Sequence, residues 1–279
     1  MRYSISPSTA RYLLVWCAIL CTCLAGCRAL ENHFIYNPSV YPNGWNEIVD
    51  ERIEEAYFNA DDGTKLHGIF AEHPNPKAVI LFAHGRRGNV TSFLDTLSKF
   101  VDRHEVSVML FDYRGFGRSE GMPDENGLYQ DARAARHWLC NRTGLSPDKI
   151  IVMGHSLGAA VAVELASDDG AGGLIVESGF TSLPNLVWRY APIIPVNWIL
   201  ESKFNSIEKI KSFDGPTLIA HGTADKIIPV KHGHQLFKAA GGKKQFLQID
   251  GGGHVGKPTR EYQKAIDDLI AEVGSPPAR

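Results

Sequence analysis

Short apolar runs alternate with stretches of helical spacing over most of the chain, and this alternation restricts the fold more than any other feature. The apolar runs lie at 78–83, 106–111, 150–153, 174–176, 217–220 and 246–249. Stretches with helical spacing lie at 93–101, 128–139, 157–166, 233–240 and 259–273. A continuous apolar run of this kind is typical of a strand buried on both faces. Strands that alternate with helices predict an α/β fold, in which helices cover both faces of a mostly parallel sheet.

Two further strands are predicted before the first of these runs. Residues 54–60 and 65–70 flank Asp61-Asp62-Gly63, a turn sequence that favours an antiparallel pair. The sheet then has about eight strands, and a site is expected at the carboxyl ends of its parallel strands. The stretch 179–213 interrupts the alternation with three prolines among large apolar residues. We interpret it as a short cap over the pocket.

The N-terminal segment has the layout of an export signal. Arg2 and Arg11 precede an apolar run at 12–24, which is shorter than the roughly 20 residues that span a bilayer. The run ends in Leu24-Ala25-Gly26-Cys27, which resembles the bacterial lipobox. The pattern predicts a lipoprotein signal peptide at 1–26, lipidation of Cys27, a tether at 27–46 and a folded domain at 47–279. The protein would be exported and held on a bacterial membrane, at its periplasmic or outer face.

Two other interpretations of this segment stay open. It fits an ordinary secretory signal or uncleaved anchor, or a palmitoylated cysteine cluster on a cytosolic protein. Four of the five cysteines lie in this segment, and only Cys140 lies in the rest of the chain. A disulfide framework within the folded domain is therefore excluded. The chain has 29 Lys and Arg residues against 31 Asp and Glu, so it lacks the excess of positive charge that is typical of a nucleic-acid-binding protein. No motif for a cofactor or a metal is present in the expected spacing.

The sequence Gly154-His155-Ser156-Leu157-Gly158 joins a predicted strand to a predicted helix. The motif is G-x-S-x-G, and its position between a strand and a helix is the one in which it marks a nucleophile. The tight turn there exposes the serine hydroxyl on a strained backbone. Side chains at the glycines would collide with the turn. The pattern predicts Ser156 as a nucleophile, and the alternative is a glycine-rich turn with a capping serine.

A serine hydroxyl needs a base to remove its proton and an acid to fix the tautomer of that base. Asp225 follows the run 217–220, and His254 follows the run 246–249, so both lie just beyond strand ends. The order Ser156, Asp225, His254 is that of nucleophile, acid and base in α/β-hydrolases. Glu177, at the end of the run 174–176, is the rival acid.

The loop at 84–89, His-Gly-Arg-Arg-Gly-Asn, follows the first parallel strand. Its position predicts an oxyanion hole made by the backbone N–H groups of Arg86 and Leu157. His84 would then brace the loop. The Arg86 and Arg87 side chains either favour an anionic substrate or point to solvent, in which case only the backbone matters.

From residue 54 onward the chain resembles the α/β-hydrolase superfamily, within its small-capped branch of monoacylglycerol-lipase-like esterases, protein depalmitoylases and serine-aminopeptidase-like proteins. The motifs that carry the resemblance are HGRRGN (84–89), FDYRGFGRSEG (111–121), GHSLG (154–158), ESGFTS (177–182), HGTADKIIP (221–229) and GGGH (251–254). The resemblance implies the α/β-hydrolase fold, a Ser156–Asp225–His254 triad and the two-donor oxyanion hole.

The expected function is a serine hydrolase that cleaves a carboxylic ester or thioester through an acyl-enzyme, with a small-molecule ester or acyl substrate and no cofactor. A serine peptidase and a non-catalytic binding protein on the same fold are the alternatives. The natural substrate is not implied, because this fold serves many chemistries.

Overall fold

The computed structural model describes residues 31, 35–190, 199–256 and 259–274. The predicted signal peptide and the predicted lipidation site Cys27 lie outside these residues. Within them, no helix is both long enough and apolar enough to cross a membrane.

One sheet of eight strands forms the centre of the molecule, in the order β1-β2-β4-β3-β5-β6-β7-β8. The strands are β1 (Ile53–Asn59), β2 (Lys65–Ala71), β3 (Val79–Ala83), β4 (Ser107–Asp112), β5 (Ile150–His155), β6 (Gly173–Glu177), β7 (Thr217–Gly222) and β8 (Lys244–Ile249). β2 pairs antiparallel with both β1 and β4, and every other pair is parallel. The sheet predicted from the apolar runs is confirmed, including its antiparallel first hairpin.

Helices cover both faces of this sheet, as predicted. They are α1 (Leu94–His104), α2 (Glu125–Thr143), α3 (Leu157–Asp169), α4 (Leu183–Trp188), α5 (Ser206–Lys209), α6 (Lys231–Ala239) and α7 (Arg260–Val273). α1 and α7 place Val101 and Ile266 in a core with Ile80 and Ile151, whereas α2, α3 and α6 lie on the opposite face. α3 is buried on all sides from Leu157 to Ala166, because it packs against β5, β6 and α2. The described part of the cap consists of α4, α5 and their loops, and residues 191–198 lie outside the description.

Residues 35–46, expected to belong to an extended tether, pack against the carboxyl edge of the sheet. Tyr36 is 1% exposed, and its hydroxyl lies 2.7 Å from Ser202 Oγ. Further along, the Gly117 N–H donates to the Ser39 carbonyl at 2.9 Å, and the Arg118 guanidinium lies 4.3 Å from the centre of the Trp45 ring. Most of the residues at 37–46 are exposed, so Tyr36 and these few contacts join the predicted tether to the domain.

Candidate active site

Ser156 occupies the tight turn between β5 and α3. Its backbone has φ 57° and ψ −114°, in a region that non-glycine residues rarely adopt, and its N–H donates to the Glu177 carbonyl at 2.9 Å. A methyl group on Gly154 would lie 2.1 Å from the Gly158 carbonyl oxygen, and one on Gly158 would lie 2.0 Å from the Ala83 carbonyl oxygen. Only glycine fits at these two positions, so the turn that presents the serine depends on both.

Three of the predicted site residues meet through two hydrogen bonds. The Ser156 hydroxyl donates to His254 Nε2 at 3.0 Å, and His254 Nδ1 donates to Asp225 Oδ2 at 2.8 Å. The other oxygen of Asp225 accepts the backbone N–H groups of Ile227 and Ile228, each at 2.8 Å. This arrangement fixes the tautomer of His254 that leaves Nε2 free to accept a proton.

The Asp225 carboxyl is held in its charged form. Burial alone would raise its pKa, but the nearby His221 ring and the hydrogen bonds from His254 and the Ile228 N–H outweigh burial and hold the pKa well below its usual range. A carboxylate beside the histidine stabilises the imidazolium that forms when His254 accepts a proton.

The backbone of His254 is held by two side chains from neighbouring strand ends. His155 Nε2 donates to the His254 carbonyl at 2.9 Å, and the Ser178 hydroxyl donates to the same oxygen at 3.1 Å. Burial lowers the pKa of His155 to about 4, so its ring stays neutral at physiological pH. His155 therefore positions the loop of His254. Sequence reasoning did not single out Ser178, whose position directly after β6 was the available signal.

The rival acid Glu177 lies at the end of β6, beside His155 on β5 and Ala220 on β7. Its carboxyl makes no hydrogen bond to His254 within the part of the chain that the structure describes, and burial raises its pKa to about 7. The geometry thus pairs His254 with Asp225.

The loop at 84–89 is held at both ends by Asp112, the last residue of β4, and by Tyr113, which follows it. The Tyr113 hydroxyl donates to the His84 carbonyl at 2.8 Å, and Asp112 Oδ1 accepts the Val90 N–H at 2.9 Å. Asn89 caps the short 3₁₀ turn Val90–Phe93 by accepting the Thr91 N–H at 3.0 Å. Asp112 and Tyr113 belong to the segment 111–121, and sequence reasoning assigned them no role.

The same loop packs directly against the Ser156 turn. A methyl group on Gly85 would lie 3.5 Å from Ser156 Cβ and 3.2 Å from His155 Nδ1. Arg86 follows Gly85, and Leu157 begins α3, whose first N–H groups have no acceptor within the helix. The two backbone N–H groups predicted for the oxyanion hole therefore belong to segments adjoining Ser156. The side chain of Arg86 is half-buried and that of Arg87 is exposed.

Exposed apolar side chains lie in the cap and in the loops that carry Asp225 and His254. Trp188 and Tyr190 of the cap are 55% and 59% exposed, and Ile227 and Val255, next to the Asp225 and His254 loops, are 51% and 83% exposed. The Tyr190 hydroxyl donates to the Ile227 carbonyl at 2.7 Å, which links the cap to the loop of Asp225.

Among the described residues, no group of three or more His, Cys, Asp or Glu side chains is arranged to hold a metal ion. What the site offers chemically is a hydroxyl, an oriented imidazole and a buried carboxylate in series.

Comparisons with known proteins agree with this architecture. A family model described as serine aminopeptidase, S33, matches residues 74–208. An uncharacterized protein of Mycobacterium tuberculosis is 34% identical over 226 residues, which cover 80% of each chain. The alpha/beta hydrolase domain-containing protein WAV2 of Arabidopsis thaliana is 30% identical over 224 residues, which cover 72% of each chain. The chain belongs to the α/β-hydrolase superfamily.

A solved structure gives the same result for the fold. The Pyrococcus furiosus esterase Pf2001 superposes with a TM-score of 0.68 over 82% of this chain and 97% of that chain, at 17% sequence identity. At this identity the likeness concerns the fold alone.

Proposed function

We propose that this α/β-hydrolase is a serine hydrolase that cleaves carboxylic ester or thioester bonds through an acyl-enzyme intermediate. The observation that carries the proposal is the continuous series of hydrogen bonds from Ser156 through His254 to Asp225, at 3.0 and 2.8 Å. Such a series is what a serine needs to become a nucleophile near neutral pH.

In the proposed reaction, Ser156 Oγ attacks the acyl carbon while His254 Nε2 accepts the hydroxyl proton. Asp225 stabilises the imidazolium, and the N–H groups of Arg86 and Leu157 donate to the oxyanion of the tetrahedral intermediate. His254 then delivers the proton to the leaving alcohol or thiol as the intermediate collapses. Water, activated by His254, attacks the acyl-enzyme in the second half of the reaction and releases the acid.

The exposed apolar side chains beside the site favour an apolar or amphipathic small-molecule substrate. Trp188, Tyr190, Ile227 and Val255 offer apolar surface next to a polar centre, which is the usual composition of a small-ligand site. They give no preference for a particular acyl length.

The test is a series of 4-nitrophenyl esters of increasing acyl length, run beside aminoacyl anilides. We expect turnover of esters by the wild-type chain and its loss in Ser156→Ala. Ester turnover that survives in Ser156→Ala contradicts the assignment of the nucleophile.

A serine peptidase is the second candidate, favoured by the description of the family model that matches residues 74–208. Amide cleavage requires protonation of a poorer leaving group, and His254 would supply that proton. Anilide turnover without ester preference favours the peptidase. A chain that turns over neither class fits a non-catalytic binding protein.

We also propose that the protein is exported and anchored to a bacterial membrane by a lipid on Cys27. The support is the sequence Leu24-Ala25-Gly26-Cys27 directly after an apolar run. Metabolic labelling with an alkyne fatty acid should mark the wild type and the control Cys23→Ala, and Cys27→Ala should lose the label and leave the membrane fraction. Undiminished labelling of Cys27→Ala contradicts this proposal.

A further inference from the structure

We propose that Thr91 is a positioning residue for the proposed reaction, and this inference rests on the proposed hydrolase activity. The Thr91 hydroxyl joins residues 43–46 to the end of the loop at 84–89, and the joined segments hold the Arg86 N–H in place for the oxyanion. Residues 43–46 thus serve the site as well as the predicted tether.

The Thr91 hydroxyl lies at the centre of a buried hydrogen-bond network. Thr91 is 1% exposed, and Asn89 is fully buried. Thr91 Oγ1 donates to Asn89 Oδ1 at 2.6 Å and accepts the Asn46 N–H at 2.9 Å. A hydroxyl has one proton to donate and lone pairs that accept, so this single side chain serves both neighbours at once.

Two side-chain amides close the network around this hydroxyl. Asn46 Nδ2 donates to the Thr91 carbonyl at 3.0 Å. Asn89 Nδ2 donates to the Gly44 carbonyl at 3.3 Å and to the Asn43 carbonyl at 3.4 Å. Residues 43–46 therefore donate to Thr91 and accept from Asn89, which ties the two segments together in both directions.

The network fixes the second end of the loop that carries Arg86. Arg86 is three residues before Asn89, so their Cα atoms lie within about 11 Å of each other. The first end of the loop is held by the Tyr113 hydroxyl, which donates to the His84 carbonyl at 2.8 Å. Two fixed ends leave the four residues between them few conformations.

A fixed loop matters for the chemistry because donors to an oxyanion act through preorganisation. A donor that must first be ordered offsets part of its own interaction with the transition state. Loss of the Thr91 hydroxyl frees one end of the loop and allows the Arg86 N–H to leave the position that the oxyanion requires. The substrate in its ground state carries no oxyanion, so its binding depends little on this donor.

The experiment compares two substitutions at residue 91 with 4-nitrophenyl butyrate as the substrate. Thr91→Val keeps the shape of the side chain and removes the hydroxyl, and we expect kcat to fall about tenfold with KM changed by less than about twofold. Thr91→Ser keeps the hydroxyl and should retain kcat within about twofold of the wild type. A kcat in Thr91→Val within about twofold of the wild type, or an equal loss in Thr91→Ser, overturns the inference.

Asn46→Ala provides a second variant at an exposed residue, where the fold tolerates substitution. It removes the bond to the Thr91 carbonyl and leaves the Asn46 N–H in place, so we expect a smaller loss in kcat of about threefold. An unchanged kcat overturns the inference.

Ser98→Ala is the matched control, because it removes a hydroxyl bond to the same part of the chain at a point away from the loop. Ser98 lies on α1, and its Oγ donates to Asp50 Oδ2 at 2.9 Å. We expect kcat to stay within about twofold of the wild type. Every kcat is expressed per chain that a fluorophosphonate labels, so a partly unfolded sample does not lower it. Equal losses in Ser98→Ala and Thr91→Val overturn the inference.

A transition-state analogue separates this inference from the proposed function. A trifluoromethyl ketone forms a tetrahedral adduct with a serine hydroxyl, and Thr91→Val should raise its inhibition constant about tenfold, in step with the loss in kcat. Ester turnover and inhibition that Thr91→Val leaves unchanged overturn the inference and leave the hydrolase proposal intact. A wild type that turns over no ester and forms no fluorophosphonate adduct overturns the hydrolase proposal, and the inference with it.

Discussion

Two acidic residues at neighbouring strand ends differ in their surroundings. Asp225, in the loop after β7, accepts hydrogen bonds from two backbone N–H groups and from His254. Glu177, the last residue of β6, has no such donor among the residues that the structure describes, and burial of its carboxyl raises the pKa to about 7. An acidic residue at the edge of the sheet is therefore not enough to form the hydrogen bond with His254. The loop after β7 selects Asp225, because that loop turns its N–H groups toward the carboxylate.

The largest expected effect is that of Asp225→Asn. The amide cannot hold His254 in the productive tautomer, so we expect kcat for ester hydrolysis to fall by up to about 10⁴. The matched control is Glu177→Gln, which should keep kcat within about threefold of the wild type. A large loss in Glu177→Gln together with a near-normal rate in Asp225→Asn reverses the comparison.

The second effect concerns stability and pH at Glu177. Its pKa lies at about 7 in the folded chain against an ordinary value of 4.5, so the folded state holds the proton that the unfolded chain releases. Wild-type stability attributable to this group is therefore lost as the pH rises from about 4.5 through 7. Glu177→Gln has no such titration, and at pH 8 it should raise the free energy of unfolding by up to about 3 kcal/mol.

Denaturant unfolding of the wild type and Glu177→Gln at pH 4.5, 6 and 8 measures this difference. The gap in unfolding free energy should open with rising pH. A gap that is constant, or that closes toward pH 8, contradicts the environment assigned to this carboxyl.

The smallest effect is expected at His221, which supports the loop of Asp225. His221 Nε2 donates to the Ile228 carbonyl at 2.8 Å and lies 3.4 Å from Asp225 Oδ2. His221→Phe leaves that buried carbonyl without its donor and loosens the loop, at a cost near that of one hydrogen bond. We expect kcat to fall about tenfold with KM little changed, as measured on a 4-nitrophenyl ester. An unchanged kcat shows that the two N–H donors suffice to hold Asp225.

The sequence predicted the strands and the three residues that meet in the site because both depend on local patterns. Continuous apolar runs identify buried strands, and G-x-S-x-G between a strand and a helix identifies the turn of Ser156. The packing of Tyr36 was not predictable in this way, since its hydrogen-bond partner Ser202 lies 166 residues away. The same holds for Asp112 and Tyr113, whose contacts with the loop at 84–89 are set by the neighbouring positions of β3 and β4 in the sheet.

The central claim is that Ser156 is a nucleophile activated through His254 and Asp225. Labelling of the folded chain with a fluorophosphonate, followed by mass mapping of the adduct, tests it most directly. We predict one adduct per chain, located on Ser156, absent from Ser156→Ala and formed much more slowly in Asp225→Asn. An unlabelled wild type, or equal labelling of Ser156→Ala, would contradict the claim.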